Sequence, residues 1–139
     1  MLKRKKLPKL RDQAIVRLVS AIPNARSLVL REVDEFYIDR NRGRGLAIAG
    51  HPGRSHSSGG VMVRSNGPFH GFHWTSPLMI LANMHAAPGM SGSPVSLGSS
   101  LQGNQIVGIL RGGQDGTNPI RAGVTMVQRP LINAVISAS

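Results

Sequence analysis

Pro88-Gly89-Met90-Ser91-Gly92-Ser93-Pro94-Val95, followed over residues 105–113 by Gln-Ile-Val-Gly-Ile-Leu-Arg-Gly-Gly, is the stretch on which the reading of this chain turns. A serine between glycines sits on a tight turn, with its hydroxyl and the neighbouring backbone N–H groups facing one spot. Acyl transfer needs that arrangement: a nucleophile beside donors aimed at a developing oxyanion. Gly89 is free to adopt the backbone angles that turn its N–H inward, and Gly92 lets the chain leave without a clash. The apolar run that follows supplies a strand as one wall of a cleft.

Outward from this motif the pattern is one of short strands punctuated by glycine. Leu46 to Ala49 reads as a buried strand ended by Gly50-His51-Pro52-Gly53. Val61-Met62-Val63 follows the Ser-Ser-Gly-Gly turn at 57–60. Met79 to Leu81, Pro94-Val95, Ile106 to Leu110 and Gly123 to Val127 continue the series. Ser27 to Val33 and Phe36 to Ile38 read as strands ahead of it, before a polar loop at 40–45. Seventeen glycines and nine prolines in 139 residues fit such a turn-rich chain. The spacing predicts an antiparallel barrel or sandwich. Pro130, then Leu131, Ile132, Val135 and Ile136, predicts a short closing helix with proline in its first turn.

The serine motif and its downstream strand resemble the trypsin-like (chymotrypsin-fold) serine peptidases, in particular their glutamyl endopeptidase, HtrA-type and viral branches. Ala47-Ile48-Ala49-Gly50-His51-Pro52-Gly53 and Gly59-Gly60-Val61 are similar to the strands that open the second barrel of such enzymes. Arg121-Ala122-Gly123-Val124-Thr125 and the terminal helix resemble the way that barrel ends. The resemblance covers about residues 45–138. It implies a mostly β fold: an antiparallel six-stranded Greek-key barrel, here with an N-terminal amphipathic helix and a short C-terminal helix. It further implies Ser91 as nucleophile, with the N–H groups of Gly89 and Ser91 as the oxyanion hole. His85 matches the floor of the primary specificity pocket. Leu110, Arg111 and Gly112 match the strand that lines this pocket and pairs with substrate backbone, and Gly123 matches its far wall. The implied partner is a polypeptide substrate, and no cofactor is called for. Met90 departs from the aspartate of activated digestive enzymes, so a charge pair with a freed N-terminus is not expected.

The family orders its triad His, Asp, Ser, and a first barrel supplies the first two. Here the five histidines are His51, His56, His70, His73 and His85, and no Asp or Glu lies between His51 and Ser91. Asp34 and Asp39 match a family acid by position but not by setting. The catalytic His and Asp are therefore not identifiable in this chain. They are expected from a first barrel on a preceding polyprotein segment or another chain, and the isolated chain is expected to be inactive. His70 and His73, with Trp74, lack a third ligand at sensible spacing, so no metal site is expected. The absence of cysteine excludes disulfides, cysteine nucleophiles and thiolate zinc sites. No apolar run has the length of a membrane span, and the N-terminus is too polar for a signal peptide.

Charge divides the chain. The formal net charge is +11, and most of the Lys and Arg stand in residues 1–54. Residues 1–26 read as a basic N-terminal arm and helix, and 27–139 as the barrel. Lys3, Arg4, Lys5, Lys6, Lys9 and Arg11 form the arm. Leu10, Ala14, Leu18 and Ile22 form a stripe that predicts an amphipathic helix over 9–22, ended by Pro23-Asn24. Two readings of the arm stand: a helix packed on the body with a solvated basic face, or an arm that binds nucleic acid or an anionic surface. Two function classes follow. One is a serine endopeptidase half-enzyme. The other is a catalytically inactive barrel serving as a basic structural or nucleic-acid-binding module.

Overall fold

A computed structural model describes residues 3–6, 14–53, 61–73, 76–98, 105–114 and 121–139. Lys9, Arg11, His56, the turn at 57–60 and Trp74 lie outside the described residues. The elements in chain order are β1 (Lys3–Lys6), β2 (Ala14–Arg17), β3 (Val29–Leu30), α1 (Glu35–Asn41), β4 (Gly45–Gly50), β5 (Val63–His73), β6 (Ser76–Ala82), β7 (Pro94–Leu97), β8 (Gln105–Gln114), β9 (Arg121–Met126) and α2 (Arg129–Ala138). The fold is mostly β with two short helices.

Strands β1 and β2 form a separate antiparallel ribbon, and the other seven make one mixed sheet in the order β3-β8-β7-β4-β5-β6-β9. The β3–β8 contact is parallel and two residues long, and every other pairing is antiparallel. β9 also pairs with β8, from Gly108↔Met126 to Gln114↔Arg121. Gly71, at φ +136°, sits where the β5–β6 register shifts, a bulge conformation that glycine adopts without strain. Leu46, Ile48, Phe69, Val95, Val107, Leu110 and Val124 meet in the main core. A second cluster of Ile106, Val127 and Leu131 lies under α2.

The strands expected at 46–49, 79–81, 94–95, 106–110 and 123–127 form, with bounds moved by a few residues. The closing helix also forms, with Pro130 in its first turn and Leu131 buried. The strand expected at 61–63 begins only at Val63, that at 27–33 shrinks to Val29–Leu30, and three further expectations need correction. Phe36 to Ile38 is the heart of α1, not a strand. Its β-forming residues are overruled by Asp34, whose carboxylate accepts a hydrogen bond from the Tyr37 N–H at 2.7 Å, and by burial of Val33 and Tyr37. The helix expected over 9–22 is absent from its described part: Ala14–Arg17 is a strand and residues 18–22 are irregular. Ile15, Val16, Val19 and Ile22 are β-branched, and a short helix holds in water only when its apolar face docks. Of the described residues of this segment only Ile15 packs on a core cluster, while Leu18, Val19 and Ile22 stay exposed. His70 and His73 lie on β5 and not in a polar loop.

Burial pushes the Tyr37 hydroxyl above its ordinary pKa, against the opposing pull of Arg31 and Arg44. Arg31 lies 5.5 Å over the Tyr37 ring. Because Asp34 supplies the side-chain cap of α1, Asp34→Ala is expected to cost about 1 kcal/mol and lower Tm by a few degrees. Thermal unfolding followed by circular dichroism reads this directly, and an unchanged Tm would remove the cap from the stability of the fold.

Candidate functional site

Two turns back to back shape the connection from β6 to β7. The Met90 N–H donates to the Ala87 carbonyl at 3.1 Å, and the Ser93 N–H donates to the Met90 carbonyl at 3.1 Å. The Ser93 hydroxyl donates to the same Met90 carbonyl at 2.6 Å. Gly89 and Gly92 take φ +93° and +90°, a region costly to residues with a Cβ. Met90 itself is 2% exposed and belongs to the main core, so its side chain pins the loop from beneath. With Met90 held down, Ser91 is left exposed at the corner.

The loop is braced on two sides. On one, the Gly53 N–H donates to the Pro88 carbonyl at 2.6 Å, and backbone meets backbone so closely that a Cβ on Gly89 would lie 2.5 Å from the Gly53 nitrogen. This explains the glycine at 89; a Cβ on Gly53 would stand 3.3 Å from the Pro88 carbonyl oxygen, and the 50–53 segment acts as a buttress. On the other side, β8 takes the Gly92 N–H on its Leu110 carbonyl at 2.8 Å, and the Leu110 N–H returns to the Ser93 carbonyl at 2.9 Å. The Ser91 hydroxyl donates to the Arg111 carbonyl at 3.0 Å. Among the described residues, the Gly89 and Ser91 N–H groups donate to no backbone carbonyl.

Beside Ser91 opens a cleft of about 200 Å³, lined by Ser91, Gly92, Ile109, Leu110, Arg111 and Thr125. That is smaller than the roughly 300–1,000 Å³ typical of small-molecule pockets. Ser91, Leu110 and Arg111 are thus brought together as expected from the sequence. Gly89 lies in the adjoining turn. Gly112 and Gly123 are register partners across β8 and β9 and do not line the cleft. His85 is exposed in the segment after β6 and is also not among the lining residues. Two lining residues went unrecognised in the sequence, Ile109 and Thr125. They are directly paired across β8 and β9, so their signal is a register that only strand pairing supplies. Among the described residues, no group of three or more His, Cys, Asp or Glu could hold a metal ion.

No protein-family model matches the chain, and comparison with curated proteins finds no match.

Proposed function

We propose that residues 27–139 form the nucleophile-bearing half of a trypsin-like serine endopeptidase. Ser91 is the acyl acceptor, the Gly89 and Ser91 N–H groups form the oxyanion hole, and the catalytic His and Asp come from outside residues 1–139. The observation that carries this reading is the Ser91 corner. Its exposed hydroxyl stands on a glycine-bracketed, core-pinned turn beside two backbone donors without carbonyl acceptors among the described residues and a small cleft. A water-filled hairpin tip needs neither the buried Met90 nor the double brace.

The strand pairing supports the same reading. Each of β4 to β9 pairs with two others, in the cyclic order β4-β5-β6-β9-β8-β7. We take this as the six-stranded Greek-key barrel that the resemblance implies. In the chemistry proposed, the supplied His would take the Ser91 proton as the hydroxyl oxygen attacks a peptide carbonyl. The carbonyl oxygen would gather negative charge between the Gly89 and Ser91 N–H groups, and the protonated His would then give its proton to the departing amine. Arg111 at the cleft favours an acidic or polar side chain next to the cleaved bond, a charge-assisted hydrogen bond contributing about 1.5–3 kcal/mol.

The test is to express the chain joined to its natural upstream sequence, or mixed with the partner that provides it. Labelling by a fluorophosphonate that disappears in Ser91→Ala, with cleavage after acidic or polar residues, is the expected outcome. Failure of every extended form to label at Ser91 would leave the non-catalytic barrel as the better reading. Cleavage confined to Lys or Arg sites would remove Arg111 from the choice of substrate side chain.

A further inference from the structure

The segment ahead of α1 carries two features for which the Ser91 cleft has no use. Among the described residues of 3–31, seven are Lys or Arg and none is Asp or Glu. Over the same stretch Val16, Leu18, Val19, Ile22, Leu28 and Val29 are 48–76% exposed. Isolated exposed aliphatic residues are ordinary, but six within the fourteen positions 16–29, which hold Arg17 and Arg26 and no acid, are a patch with a composition.

The ribbon has a defined outer face. Ile15 packs on the cluster of Ile106, Val127 and Leu131 beneath α2. Strand alternation therefore sets Ala14 and Val16 on the face turned away from that cluster. The ribbon register pairs Arg4 with Val16 and Lys6 with Ala14, so two cationic positions share this outer face with an exposed valine. Leu18 and Val19 follow directly. Ile22 then stands at a turn closed by the Ala25 N–H on the Ile22 carbonyl at 3.2 Å, with Asn24 at φ +60°.

We propose that this face docks on the surface of an anionic phospholipid bilayer. Charge complementarity selects the partner: residues 1–31 hold nine Lys or Arg against the single acid Asp12, such a stretch meets a negatively charged plane, and each Lys or Arg near that surface strengthens binding about fivefold. The exposed aliphatic side chains then enter the boundary between headgroups and acyl chains. A nucleic acid would satisfy the cations alone. It would leave Leu18, Val19 and Ile22 in water, and residues 14–31 contain no aromatic side chain on which bases stack. The proposal stands apart from the Ser91 reading, and Ser91→Ala should bind vesicles as the natural chain does.

Co-sedimentation of the full chain with vesicles tests it. Binding is expected to phosphatidylcholine vesicles holding about 30% phosphatidylserine, not to phosphatidylcholine alone, and should weaken strongly as salt rises from about 0.1 M to about 0.5 M. Val19→Asp with Ile22→Asp should lower the affinity at least about tenfold while circular dichroism stays unchanged, because both side chains already face water. Arg4→Gln with Lys6→Gln should lower it roughly 25-fold. No binding to the phosphatidylserine vesicles would overturn the proposal. So would vesicle binding indifferent to the aspartates, which would mean adhesion by charge alone. Tighter salt-sensitive binding to poly(U) RNA than to vesicles would assign the face to nucleic acid instead. Self-association abolished by the two aspartates, without vesicle binding, would assign it to a second copy of the chain.

Discussion

Incubated alone with a fluorophosphonate, the chain is expected to acquire no label at Ser91, and to cleave no peptide at a measurable rate. A serine hydroxyl is a poor nucleophile until a base takes its proton. Among the described residues the acceptor of the Ser91 hydroxyl is the Arg111 carbonyl at 3.0 Å, which holds the hydrogen and cannot remove it. In the proposed triad, loss of one member lowers the rate by roughly 10⁴-fold, and neither its His nor its Asp is identifiable in this sequence. Intact-mass measurement after reaction reads the result. Efficient labelling that vanishes in Ser91→Ala would overturn the expectation and place a base within residues 1–139, with His56 and His70 the first to replace.

Gly67→Ala is expected to be the most damaging single methyl group in the sheet. Gly67 pairs with Leu46 across β4 and β5, and a Cβ there would run into the backbone carbonyl of Asn83 and come within 2.7 Å of the Met84 Cβ. No rotamer change relieves a clash with backbone, so the strands themselves must part. The expected cost is about 3 kcal/mol, a fall in Tm of roughly 10 °C for a chain of this size. Gly45→Ala is the matched control, since a Cβ there meets nothing within 4 Å. Thermal unfolding of the two variants side by side should separate them clearly; equal melting temperatures would show that the close approach at Gly67 is not tight.

Most of the sheet was legible because its strands are apolar runs cut by glycine. Leu46 to Ala49, Ile106 to Leu110 and Gly123 to Val127 are buried runs that any pairing partner would place inside. The Ser91 corner was legible for a similar reason: Gly89 and Gly92 stand where the backbone needs positive φ. What escaped depended on contacts distant in sequence. Phe36-Tyr37-Ile38 has strand propensity, and only the Asp34 cap with the burial of Tyr37 makes it helical. The stripe from Leu10 to Ile22 has helical spacing, yet among its described residues the body offers a seat to Ile15 alone. Thr125 enters the cleft through its pairing with Ile109, a relation that no local pattern in either strand contains.

The β6–β7 connection has one more consequence, for the order in which the molecule assembles. β4, β5 and β6 pair as sequence neighbours, and so do β7, β8 and β9. The two triplets meet along seams that join residues far apart in the chain, Leu46 to Leu97 and Met79 to Thr125. Such non-local seams pay loop-closure entropy before they are rewarded, and they form late. The Ser91 loop is the covalent tether between the triplets. Its brace at Gly53 belongs to the first triplet's side, and its hydrogen bonds to Leu110 and Arg111 belong to the second. Neither half-assembled triplet can therefore shape the serine corner, and a nascent chain has no formed Ser91 turn until both seams have closed.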